Sequence, residues 1–137
     1  GVAEQNLIGV STGLAMSGKT VIAYSIANFL TLRCLEQIRN DAVYHNLNIN
    51  LVSSGGGYTY GVLGMSHHAT EDLSVLNCIP GITIVAPSTK WETKEALIKQ
   101  GGDTKSINKL YEEVFNDKKE KKRSMERLQN FHSERWY

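Results

Sequence analysis

Apolar residues first recur at helical spacing. Leu7, Ile8, Val10, Leu14 and Ala15 predict an amphipathic helix over residues 4–16. "SGK" follows as a polar turn, with Gly18 placed to end that helix. "TVIAYSI", residues 20–26, is β-branched and continuous, the pattern of a buried parallel strand. "FLTLRCLEQIRNDAVYHNL", residues 29–47, returns to the helical period, and "INLVSS", 49–54, reads as a second strand. "GGGYTYGVLGMSHH", 55–68, is a loop whose five glycines free the backbone for tight turns. A short helix is predicted over 69–79 with Thr70 as its cap, and "PGITIVAP", 80–87, reads as a third strand. The last clear helix spans 88–100, with Ser88 or Thr89 as N-cap, Glu92 in the first turn and Gly101 just past the end.

The order α-β-α-β-loop-α-β-α predicts an α/β fold, a parallel sheet with helices on both faces. The sequence opens directly on a helix, so the sheet is expected to be incomplete at that end, or the chain to be part of something longer. Charge marks a second division. Residues 1–100 hold 6 Lys/Arg and 7 Asp/Glu, whereas residues 101–137 hold 9 and 7. The boundary is therefore placed at 101–102, giving an α/β domain over 1–102 and a charged helical extension over 103–137. In the extension Ile107, Leu110, Tyr111, Val114 and Phe115 lie at helical spacing, with Leu128 and Phe131 continuing the stripe. "KKEKKR" reads as a solvated face rather than a nucleic-acid site, because acidic residues interrupt and surround it.

The chain's 137 residues suffice for one domain with a real core. A formal net charge of +1 gives no global reason to expect nucleic acid or membrane as partner. No apolar run reaches the roughly 18 residues that span a bilayer, and no signal-peptide pattern opens the sequence. A cytoplasmic protein is the default expectation. Cys34 and Cys78 sit in apolar segments without metal-ligand spacing and are expected to be buried, reduced thiols. "GLAMSGKT", 13–20, fits the G-x-x-x-x-G-K-[ST] pattern of a phosphate-binding loop, yet it has a helix before it and a strand after it. That is the reverse of the order in which loop N–H groups and a helix N-terminus converge on phosphate, so the stretch reads as a turn.

Several residues invite chemistry. Glu4 stands where the first helix starts, a position that the helix dipole favours for any carboxylate. Phe29 and Arg33 lie one turn apart, the spacing of a core aromatic and a surface cation as much as of a site. His67 and His68 end the glycine-rich loop; adjacent histidines cannot both turn inward on one face, and no third ligand accompanies them as a metal would need. Taken in order, "GVAEQN", "YSIANFLTLRCLEQIRND", "GMSHHATEDL" and "CIPGITIVAPS" resemble the pyrimidine-binding domain of the transketolase family of thiamine-diphosphate enzymes. The resemblance covers about residues 1–100 and extends to the small split-gene C-terminal subunits of that family.

The resemblance implies roles for these positions. Glu4 matches the family glutamate that hydrogen-bonds a ring nitrogen of the cofactor's aminopyrimidine, a contact that sets the ring's tautomer. Phe29 is similar to the aromatic that packs on the pyrimidine face. Arg33 lies near a family position that contacts cofactor or substrate. His67 corresponds to the histidine after "GPT" in transketolases, which lines the substrate channel, and His68 is the next candidate. Catalytic roles are thus expected of Glu4 and His67, cofactor contacts of Glu4, Phe29 and Arg33, and substrate contacts of His67 and His68, with no metal ligand among them.

The departures from the family pattern matter equally. Leu63 stands where many transketolases carry an acid that recognises a sugar hydroxyl, and no "GDG" of the diphosphate- and magnesium-binding domain occurs in the sequence. The resemblance therefore implies thiamine diphosphate bound together with a partner subunit or domain that holds the magnesium, in a homo- or hetero-oligomer. The implied reaction is transfer of a two-carbon ketol unit between sugars or sugar phosphates, or a related acyl-carbanion reaction. A 2-oxoacid dehydrogenase β-type pyrimidine domain and a catalytically incomplete interaction subunit are the alternatives; "SHHATED" favours the transketolase side.

Overall fold

Helix α1 (Glu4–Met16) leads into strand β1 (Val21–Ile26), which pairs in parallel with β2 (Ile49–Ser54). The register runs from Val21 opposite Ile49 to Ile26 opposite Ser54, so both strands end at the same edge of the sheet. This is a computed structural model, and it describes residues 2–99 and 101. The charged helical extension expected over 103–137 lies outside the described residues. The chain divides after Ala86. In the unit before that point α1 and the short helix α2 (Ala27–Thr31) lie against the sheet. Its core gathers Ile8 from α1, Leu30 from α2, then Cys34, Ile38 and Ile79, all nearly or fully buried. The α/β architecture with a parallel sheet is as the alternation predicts.

The turn after α1 settles the phosphate-loop question. Gly18 takes φ +82, a left-handed conformation that glycine adopts without steric cost. Its N–H donates to the Ala15 carbonyl and that of Lys19 to the Leu14 carbonyl, the paired bonds of a Schellman helix end. "GLAMSGKT" is the end of a helix and offers no helix N-terminus to an anion. Among the described residues no helix is long and apolar enough to cross a membrane.

Three expected elements differ. The long helix over 29–47 breaks after Thr31 and resumes as α3 (Leu35–Gln37), continuing through a π-helical stretch at Ile38–Val43. The Thr31 hydroxyl donates to the Ala27 carbonyl at 2.6 Å, a local bond that competes with the helical ladder, and Cys34 leaves helical geometry at φ -104, ψ 15. The helix over 69–79 shrinks to α4 (Asp72–Leu76), and Thr70 does not cap it; its hydroxyl donates to Glu71 Oε2 instead. Cys78 consequently falls in the turn beyond α4 and is exposed, while Cys34 is buried as expected. Both are free thiols. Burial pushes the Cys34 thiol pKa up, and the nearby Glu4 charge adds to the effect.

The third correction concerns residues 80–87, which form no strand. Ile79 is buried and Ile82 packs against the core, but residues 83–87 join no ladder and Val85 is about half exposed. β-Branched residues supply propensity, but a strand exists only through a paired neighbour. Beyond Ala86, helix α5 (Lys90–Lys99) carries the expected cap. Thr89 Oγ1 accepts from the Glu92 N–H at 3.2 Å, and Glu92 Oε2 accepts from the N–H groups of Ser88 and Thr89, a reciprocal capping box.

Candidate functional site

The parallel pairing places two different segments at one edge of the sheet. Ile26 is followed immediately by α2, and Ser54 by the glycine-rich loop. The segments leaving the carboxyl ends of neighbouring parallel strands are where open α/β sheets bind ligands. The loop is closed on itself by an antiparallel bridge in which Gly57 and Ala69 exchange both N–H to carbonyl bonds at 2.9 Å. Within it, two 3-10 turns (Gly61–Leu63 and Met65–His67) bring His67 back toward α2. Asn28 of α2 fastens the contact, its Nδ2 donating to the Ser66 carbonyl at 2.5 Å.

Four of the five residues expected at the site form one unbroken chain of contacts. Arg33 Nη1 donates to Glu4 Oε2 at 2.5 Å, an ion pair in which the Glu4 side chain is 13% and that of Arg33 33% exposed. The guanidinium carbon of Arg33 also lies 4.5 Å from the centre of the Phe29 ring, within cation–π range. The Phe29 ring meets His67 edge-on, with centroids 4.9 Å apart and planes at 68°. The chain thus runs Glu4, Arg33, Phe29, His67. His68 belongs elsewhere in the loop, edge-on to Tyr58 at 4.9 Å, with Nε2 3.3 Å from the Gly61 carbonyl.

Glu4 is held ionised. Its own backbone N–H lowers its pKa most, burial opposes this, and the Arg33 guanidinium adds to the lowering through hydrogen bond and charge. An ionised carboxylate accepts hydrogen bonds only, so this group is suited to an N–H or O–H on a ligand. Among the described residues no three His, Cys, Asp or Glu side chains cluster as metal ligands would.

The structure adds residues that the sequence did not single out. Tyr60 approaches His67 from the loop, with centroids 6.3 Å apart. Its hydroxyl lies 3.4 Å from Ser54 Oγ, which in turn accepts from the Tyr24 hydroxyl at 3.2 Å. Glycine at residue 55 makes room for Tyr60: φ there is +85, and a Cβ at that position would clash with the edge of the Tyr60 ring. Ser66 and Asn28 join the site through hydrogen bonds alone, and neither spacing nor hydropathy distinguishes them from ordinary loop and helix residues.

Residues 1–107 match the family described as transketolase, pyrimidine binding domain. The chain is 41% identical over 95 residues to an apulose-4-phosphate transketolase subunit of Phocaeicola vulgatus, covering 69% of this chain and 30% of that protein. To the 6-deoxy-6-sulfo-D-fructose transketolase subunit SqwH of a Clostridium species it is 39% identical over 87 residues, 64% of this chain and 27% of the relative. To the human transketolase-like protein 2 it is 38% identical over 97 residues, 70% of this chain and 15% of the relative. The chain therefore spans less than a third of the length of these curated relatives.

Proposed function

The chain belongs to the transketolase pyrimidine binding domain family, and on that premise we propose that it is the pyrimidine-binding part of a divided, thiamine-diphosphate-dependent transketolase acting on sugars or sugar phosphates. The contact chain from Glu4 through Arg33 and Phe29 to His67 carries this reading. It joins an ionised carboxylate, an aromatic ring and an imidazole at the carboxyl edge of a parallel sheet. Two relatives are named as transketolase subunits, and their division of labour is extended here to this chain.

These residues fit one end of the cofactor. Glu4 would share a proton with a ring nitrogen of the aminopyrimidine, accepting a hydrogen bond from that nitrogen in its protonated, imino form, and the Phe29 ring would orient the pyrimidine by stacking. Arg33 adds to the backbone N–H in keeping Glu4 charged and braces Phe29 from one side. His67, at the far end of the chain, would bind an oxygen of the sugar. Thiamine diphosphate supplies, when bound, the nucleophilic carbon that no protein side chain offers. Its diphosphate and magnesium are assigned to another domain or subunit. Val10, Leu14 and Met16 on α1, with Val62 and Met65 on the loop, are exposed and offer apolar surface to such a partner.

Glu4→Gln tests the reading, because glutamine keeps the shape but not the charge. With a diphosphate-binding partner supplied, exchange of the cofactor's thiazolium proton into deuterated water should slow by roughly two orders of magnitude or more, the range of a lost acid–base function. An unchanged rate would leave Glu4 as a helix-terminal carboxylate and remove the catalytic reading.

A further inference from the structure

His67 has two ring nitrogens, and only one carries hydrogen when the ring is neutral. Which one decides whether the group facing a substrate donates or accepts. The Ser66 hydroxyl lies 3.0 Å from His67 Nδ1. Ser66 is itself tied to α2 through the Asn28 bond to its carbonyl, and the imidazole is set edge-on to Phe29 on one side and to Tyr60 on another. The ring is therefore held in orientation by two aromatics while its Nδ1 is met by a hydroxyl from the neighbouring residue.

We propose that Ser66, anchored by Asn28, is a positioning residue that holds His67 as the Nε2–H tautomer, so that the distal nitrogen acts as a hydrogen-bond donor to a carbonyl or hydroxyl oxygen of the sugar. This rests on the reading of His67 as a substrate-contacting residue. Two facts decide the direction of the Ser66 bond. A neutral histidine side chain already leans toward Nε2–H, and a hydroxyl donating to Nδ1 reinforces that preference. The reverse bond would require the less favoured Nδ1–H form. Nδ1 also lies on the backbone side of the ring, beside Ser66, whereas Nε2 is the nitrogen farthest from the main chain and so the one able to reach a ligand. A polyhydroxylated carbonyl compound presents several acceptor oxygens, and a fixed N–H donor selects among them by position. The hydroxyls of Tyr60, Ser54 and Tyr24 extend the same edge with groups that both donate and accept.

The tautomer can be read directly in the full chain. Two-bond proton–nitrogen correlation spectra at alkaline pH separate Nδ1–H from Nε2–H rings, and His67→Gln identifies the His67 signals among the four histidines. The wild-type chain should show His67 mainly as Nε2–H, Ser66→Thr should retain that pattern, and Ser66→Ala should shift roughly two- to tenfold toward Nδ1–H, the effect of one neutral hydrogen bond. A wild-type ring dominated by Nδ1–H, or the same populations in Ser66→Ala, overturns the proposal. In the enzyme assembled with its diphosphate-binding partner, Ser66→Ala should raise KM about three- to tenfold with kcat changed less, and Ser66→Thr should restore it. Should His67→Ala leave KM unchanged, the substrate role of the ring falls even where the spectra show the expected tautomer, which separates failure of the functional reading from failure of the tautomer assignment.

Discussion

Glu4 ties the fold to the candidate site, starting α1 and pairing with Arg33. Its pKa in the folded chain lies below the ordinary 4.5, so the unfolded chain binds more protons at mildly acid pH and stability rises with pH there. The contribution is complete above the unfolded value and is lost as pH falls through the lowered folded one. Because Arg33 is a third exposed, solvent screens the pair, and the whole effect should not exceed about 1 kcal/mol. Urea unfolding of wild type and Glu4→Gln should differ by up to that amount at neutral pH and converge in acid; a difference that persists or grows in acid would show the pair to be stabilising for another reason. The residue's place in the site was legible only through family resemblance. Periodicity identifies it as the start of a helix, where any carboxylate is favoured, and nothing local says that Arg33 reaches it from 29 residues away. Ser66 and Asn28 were illegible for a related reason: their part is played by single hydrogen bonds whose partners are set by loop closure.

Strands β1 and β2 and most features fixed by local chemistry appear where the sequence places them, whereas Thr70 caps no helix and residues 80–87 pair with no strand. The Schellman turn at Gly18 and the capping box at Thr89 and Glu92 depend on residues within one turn of each other, and both appear where the sequence places them. The break after Thr31 accompanies a local hydroxyl bond to the Ala27 carbonyl, and the run beyond Ile82 lacks a paired neighbour; hydropathy records neither. Closure of the glycine-rich loop goes unrecorded too, yet one of its glycines has a specific, testable job. Gly55→Ala must find room for a Cβ where the Tyr60 ring now sits and must hold φ near +85. A destabilisation of roughly 1–3 kcal/mol is expected in chemical unfolding, together with loss of the Tyr60 ring effect on the His67 proton resonances. A variant as stable as wild type, with His67 signals unmoved, would mean that Tyr60 is not seated there in solution.

At the scale of the whole chain, the described residues hold the contact chain from Glu4 to His67 but no cluster of acidic or histidine side chains for a metal. Calorimetry on the 137-residue chain by itself should therefore detect no tight, magnesium-dependent uptake of thiamine diphosphate; micromolar binding that magnesium strengthens would place the diphosphate site within this chain and revise the divided arrangement. One feature of the fold acts at this scale in a different way. Residues 82–86, Ile-Thr-Ile-Val-Ala, join no ladder, and no charged residue occurs between 77 and 89. Short windows of high β-propensity and no charge are templates for addition of strands from other molecules. Pro80 and Pro87 bracket the window and limit how far such pairing can spread, as gatekeepers do. The consequence is colloidal rather than catalytic: the purified chain should self-associate through this segment as its concentration rises. Val85→Lys, at a half-exposed position outside the core, should suppress the growth of light scattering several-fold without altering the circular dichroism, whereas equal scattering from both proteins would assign the association to another surface.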